Sequence, residues 1–147
     1  EVAYVLPRGN GGSTIADYAT HQLIIPWFDD QGGLLQIATL PKKLWVQEPR
    51  LGSFALGVNG ERLHFLYNTL DPDSRLNYSG KRRKNAVFTL VRSLSVQDGW
   101  SAEQLVAVST NLKKKVLARR SLFVDEKCFL VAIDRSSFQI GTVVLDR

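Results

Sequence analysis

Ser-Phe-Ala-Leu-Gly-Val-Asn-Gly-Glu-Arg-Leu-His-Phe-Leu-Tyr-Asn fills residues 53–68. Phe54, Leu56 and Val58 alternate onto one face of a first run. Leu63, Phe65 and Tyr67 do the same in a second run, with Arg62, His64, Leu66 and Asn68 on its other face. Between the runs stands Asn59-Gly60, suited to a type I′ turn because that turn needs positive φ at both central positions. The stretch reads as an antiparallel β-hairpin, and it sets the reading of its neighbours.

Upstream, residues 22–28 form a further strand candidate. Pro26 lies inside it, which places the strand at an edge or a bulge. Asp29-Asp30-Gln31-Gly32-Gly33 reads as a turn and residues 34–40 as the returning strand, ended by Pro41. Before them come a short strand candidate at 2–6 and a glycine-rich loop at 7–13. That loop lacks the Gly-Lys-Ser/Thr of a phosphate cradle. Downstream, a polar loop spans 69–85, and residues 86–91 are apolar on both faces apart from Thr89, as an interior strand would be. Asp98-Gly99 marks a turn, and residues 102–108 read as a strand with some helical ambiguity. The best amphipathic window, 104–117, is interrupted by valines, threonine and asparagine. Residues 122–124 and 128–133 flank a turn at 125–127, a second turn covers 134–137, and residues 138–145 close the chain.

Nine or ten short strands with frequent turns predict an all-β protein. At 147 residues, with 44% apolar and 22% charged residues, the chain has room for one folded domain. We expect a single β-rich domain over 1–147, with 1–17 an irregular arm carrying one short strand and 18–147 blade-like repeats. The unit expected is an antiparallel four-stranded blade, because the spacing of hairpins matches about 40–50 residues per unit. A propeller closes with at least about four blades, so a propeller-like arrangement is incomplete in this chain alone. A sandwich or open barrel is the alternative. The chain starts at Glu1 and holds no methionine, which reads as a processed chain or a fragment. No apolar run approaches the roughly 20 residues of a membrane-spanning helix.

With residues 37–43 before it, Ser79-Gly80-Lys81 after it and the closing Phe138-Gln139-Ile140-Gly141-Thr142-Val143, the 53–68 hairpin resembles uncharacterised β-repeat proteins of Bacteroidetes envelopes. Those proteins look propeller-like, with a hairpin ending in Tyr-Asn-Asp. Here Thr69 stands where Asp is usual. The resemblance covers roughly residues 20–145 and implies a cell-envelope or periplasmic setting and an interaction role. It transfers no catalytic residue.

The net charge of +5 is unevenly spread. Residues 75–120 hold eleven Lys/Arg against two Asp/Glu, a local balance of +9, while the flanking segments are acidic. Within that segment lie the candidate binding residues Tyr78, Lys81, Arg82, Arg83, Lys84, Lys113, Lys114, Lys115, Arg119 and Arg120. Such runs suit nucleic acid, another polyanion or an acidic protein face, and equally suit solvation and protection of strand edges. Trp27, Trp45 and Trp100 are candidate docking anchors or core residues.

Chemistry-bearing residues are sparse. Cys128 is the single cysteine, so no internal disulfide forms, and its apolar run marks a buried thiol. His21 and His64 with one Cys give no zinc spacing. Asp71-Pro72-Asp73-Ser74 lacks the glycine and terminal glutamate of a calcium loop and reads as a turn. No enzyme, metal or cofactor is expected. The expectation is a non-catalytic interaction or structural module of a larger assembly, with a protein partner or self-association. Polyanion or nucleic-acid binding through residues 75–120 is the alternative.

Overall fold

The computed structural model describes residues 4–6, 17–46, 51–70, 86–109, 114–134 and 137–145. Among these the chain forms twelve β-strands in three antiparallel sheets and no α-helix. The first sheet holds β1 (Tyr4–Leu6), β2 (Asp17–Phe28) and β3 (Leu34–Val46) in that order. Its tight turn is built as the sequence suggests. The Asp29 carboxylate accepts the N–H groups of Gln31 at 3.0 Å and Gly33 at 2.6 Å, and Gly32 takes a φ of +83°.

Pro41 does not end β3, contrary to expectation; the strand runs on to Val46. Two facts of topology let it pass. β3 is the outer strand of its sheet, and Pro41 sits opposite Gln22 beside a register shift between Thr20 and Gln22. A residue without an N–H is tolerated at an edge or bulge. Pro26 uses the same licence, because β1 pairs only with Asp17–Ala19 and leaves the rest of that edge of β2 unpaired by β1.

The middle sheet contains β4 (Phe54–Asn59), β5 (Arg62–Thr69), β6 (Val87–Ser95), β7 (Gly99–Trp100) and β8 (Gln104–Ser109). β7 and β8 lie on the same edge of β6, one opposite Leu94 and Ser95, the other opposite Val87–Val91. Between them Ser101 N–H still donates to the Ser93 carbonyl at 2.8 Å. The two segments therefore act as one interrupted fourth strand of an up-and-down meander. The turn at Asn59-Gly60 is not type I′. Its loop is Gly60-Glu61, closed by the Asn59–Arg62 pair, and only Gly60 has positive φ, at +57°. That is the type II′ pattern, with glycine first. The helical ambiguity at 102–108 resolves as strand over Gln104–Ser109, because this edge of β6 supplies a pairing partner.

The third sheet holds β9 (Lys114–Val116), β10 (Leu122–Val124), β11 (Lys127–Asp134) and β12 (Ser137–Val144). β9 and β10 again share one edge, that of β11, separated by a single 3-10 turn at Ala118–Arg120. The gap in the ladder is filled by a side chain. Ser121 Oγ accepts the Val131 N–H at 3.1 Å and donates to the Leu117 carbonyl at 3.2 Å. Val131 thus keeps its amide paired where the neighbouring strand bends away.

The sheets stack face to face in three layers. Leu23, Ala38 and Leu40 from the first sheet meet Phe65, Tyr67, Phe88, Leu90 and Leu94 on one face of the middle sheet. Ala55, Leu66 and Val91 on its other face meet Val116, Ala118, Cys128 and Leu130 of the third. A smaller cluster of Leu44, Leu51, Val87 and Leu117 joins all three layers at one end. β6 is covered from both sides, which explains its unbroken apolar reading at 86–91. None of the sheets closes on itself.

Candidate functional site: a buried polar seam and two apolar outer faces

The face of the middle sheet that meets the third sheet carries a line of polar groups. His64 and Ser93 are opposite each other on β5 and β6, with His64 Nδ1 2.7 Å from Ser93 Oγ. The imidazole stacks on Phe123 of β10, ring centres 5.9 Å apart and 26° between planes. Phe123 approaches so closely because the residue beneath it, Gly57, has no side chain. Further along, Asn68 Nδ2 donates to the Leu51 carbonyl at 3.3 Å and the Val116 carbonyl at 3.1 Å, and Thr89 Oγ1 donates to Asn68 Oδ1 at 2.8 Å. Lys42, on the other side of the sheet stack, is also enclosed; its ammonium donates to the carbonyls of Gly52 and Ser53 and lies 6.0 Å from the Phe54 ring centre. Among the described residues no buried side-chain polar atom lacks a partner.

A histidine beside a serine at 2.7 Å has the spacing of a base and a nucleophile. Its surroundings are those of packing. Ser93 is buried between sheets, and the ring is capped by Phe123. What the pair does as it stands is satisfy two polar groups inside an interface. Burial, and secondarily the Arg62 guanidinium, push the His64 pKa below its ordinary value of 6.5. The histidine is therefore neutral in the fold and takes up a proton more readily when unfolded. Its contribution to stability is complete above about pH 6.5 and is lost as pH falls from there toward the lowered folded value. Urea midpoints measured from pH 7.5 to 5 fall with pH, and His64→Gln flattens that part of the profile. An unchanged slope in the variant would show that His64 is not its source.

Cys128 is fully enclosed in the same interface, and burial raises its thiol pKa to about 11. Roughly one thiol in ten thousand is ionised at neutral pH. A disulfide reagent at pH 8 leaves the native protein unmodified over an hour and reacts at once after denaturation. Rapid modification of the folded chain would contradict the burial.

The residues singled out for binding are described only in part. Tyr78, Lys81, Arg82, Arg83, Lys84 and Lys113 lie outside the described residues. Lys114 is on β9 opposite Asp134. Lys115, its neighbour, is buried, so its ammonium belongs to the fold's interior rather than to an open basic face. Arg119 and Arg120 are exposed on the 3-10 turn. Trp27 and Trp100 pack against the first core cluster, with Arg92 5.2 Å over the Trp100 ring. Both are partly buried against that cluster. Trp45 is on β3, and its side chain lies outside the described set. No metal-holding cluster of His, Cys, Asp or Glu occurs among the described residues.

The surfaces that stand out are apolar and were not singled out in the sequence. Ile24, Phe28, Leu34, Leu35 and Ile37 are exposed on the β2–β3 hairpin. Leu122, Val124, Phe129, Phe138, Ile140 and Val144 are exposed on the third sheet. These lie at opposite ends of the stack, on the sides turned away from the middle sheet. The sequence signal was present in residues 128–133, apolar on both parities: such a strand asks for cover on two sides, and among the described residues Phe129 on its outer side stays exposed.

Comparison with protein-family models, curated proteins and solved structures gives no match.

Proposed function

We propose that this chain is a non-catalytic interaction or structural module, a propeller-like stack of blade-like sheets that works in a larger assembly by docking through its outer faces. The observation that carries the reading is the pair of exposed apolar faces at the two ends of the stack. Soluble monomers rarely expose contiguous apolar patches beyond roughly 300–600 Å², and larger ones mark contact surfaces. The four-stranded meander of the middle sheet supports the blade-like description. Of the residues of the polyanion alternative, Arg119 and Arg120 are exposed among the described ones, and most of the others lie outside them.

The test is the solution mass and dye binding of the 147-residue chain between about 50 and 500 mM salt. An interaction module of this kind either associates at all salts or, as a monomer, binds an apolar dye such as ANS strongly. Dye binding drops when Ile140 is replaced by Lys. A monomer that binds no dye at any salt would overturn the reading. Association that disappears steeply with salt would favour a charge-driven surface instead.

A further inference from the structure

We propose that the occupant of both outer faces is a second copy of this chain, joined head to tail. The third sheet of each copy covers the β2–β3 hairpin of the other, and two three-sheet stacks close into a ring of six sheets. The inference rests on the interaction-module reading above and gives it a partner.

Area is the first argument. Exposures run from 38% at Phe129 to 78% at Ile140 on the third sheet, and from 54% to 61% on the hairpin. Applied to fully exposed Val, Leu, Ile and Phe, these fractions give roughly 600–700 Å² on the third sheet and roughly 500–600 Å² on the hairpin, so one contact buries at most on the order of 1,200 Å². A specific interface needs about 1,000 Å². A ring contains the contact twice.

Direction is the second argument. Inside the chain, sheets follow one another in a single sense, first on second and second on third, apolar face on apolar face. Hairpin and third sheet are the two faces left at the ends of that series. A head-to-tail contact continues the stacking already used twice. A symmetric contact of one face with itself leaves the other face uncovered on both copies. An open head-to-tail chain leaves one face uncovered at each end and goes on growing. Closure after two copies leaves neither end face uncovered, with Leu56 and Val58 of the middle sheet still exposed at its edge, and six sheets fall within the roughly four to eight of closed radial stacks.

The arrangement makes a prediction that no dimer joined through one face against itself shares. Each contact takes one face from each copy, so a substitution on either face damages both contacts in a dimer of identical chains. Ile37→Asp marks the hairpin face and Ile140→Lys the third-sheet face; both positions are solvent-exposed, so neither substitution removes core packing. By light scattering at a fixed concentration, the unsubstituted chain has twice the mass of one chain. Each variant alone is monomeric. An equimolar mixture recovers a dimer, because one of its two contacts joins two intact faces and the other pairs opposite charges. Recovery on mixing also demonstrates that both variants are folded.

If Ile37→Asp alone stays dimeric, the contact is a symmetric one through the third sheet. If Ile140→Lys alone stays dimeric, it is symmetric through the hairpin. Either result overturns the ring, as do species growing beyond the dimer. An unsubstituted chain that is monomeric yet binds ANS strongly also overturns it, while leaving the interaction-module reading intact with a different partner.

Discussion

Gly57→Val lowers the unfolding free energy by about 2–3 kcal/mol, read from urea denaturation at one protein concentration. The reason lies in the crossing of β4 by β10. A Cβ at position 57 would stand 2.3 Å from Phe123 Cβ and 2.4 Å from the ring carbon next to it. No rotamer of Phe123 relieves the first contact, because Cβ is fixed to the backbone. The third sheet has to lift away from the middle one, or the strand has to shift. Lifting loosens the Phe123–His64 stack and the packing of Ala55, Leu66 and Cys128 behind it. Glycine here serves close approach rather than an unusual backbone angle. Gly57→Ala has the same sign and a smaller effect. Phe123→Ala alone costs by leaving a void, and the two substitutions together cost less than their sum, because alanine removes the ring atoms the valine meets and the valine fills part of the void, while the Cβ contact stays. Simple additivity would show that Phe123 is not what the new side chain meets.

Asn68→Ala is expected to cost about 3–5 kcal/mol, enough to unfold much of a marginally stable domain. Asn68 is completely buried and holds three groups from three parts of the chain: the carbonyls of Leu51 and Val116 and the hydroxyl of Thr89. Alanine leaves all three without this partner in a buried interface. Asn68→Asp separates hydrogen bonding from volume. The carboxylate keeps the size but faces two carbonyl oxygens with an acceptor, so it is no better tolerated than alanine. Thr89→Val removes only one of the three bonds and costs about 1 kcal/mol. Equal losses for Thr89→Val and Asn68→Ala would mean that the two carbonyl bonds contribute nothing.

Strand positions and their inward faces were legible because alternation over five or six residues is a local signal. The hairpin at 53–68, the interior strand after residue 86 and the turn at Asp29 stand where alternation and turn chemistry place them. Pro41 misled because a proline's effect depends on whether its strand is at an edge, and strand order is not local information. Asn59-Gly60 misled in a smaller way: asparagine remains in the strand, paired with Arg62, and the turn starts one residue later. The polar seam was not legible at all. His64 finds Ser93 29 residues away, and Asn68 finds Val116 48 residues away. Nothing in either segment announces the other. Parity identified two apolar faces on several strands, but which sheet covers which face is decided by stacking order. The outer faces follow from that order alone.

Each of the three sheets is a run of consecutive strands, and that has a consequence for the order in which the protein is made. During synthesis the β2–β3 hairpin is complete before the middle sheet begins, and the middle sheet before the third. Backbone pairing in each layer can therefore proceed as the layer emerges, without waiting for a distant strand. Apolar cover works on a different schedule. Each new layer presents a bare apolar face until the next layer emerges and covers it. Once β12 pairs with β11, hydrogen bonding within the third sheet is complete while Phe138, Ile140 and Val144 are still bare. A layer in that condition is prone to aggregate even though its backbone is fully paired.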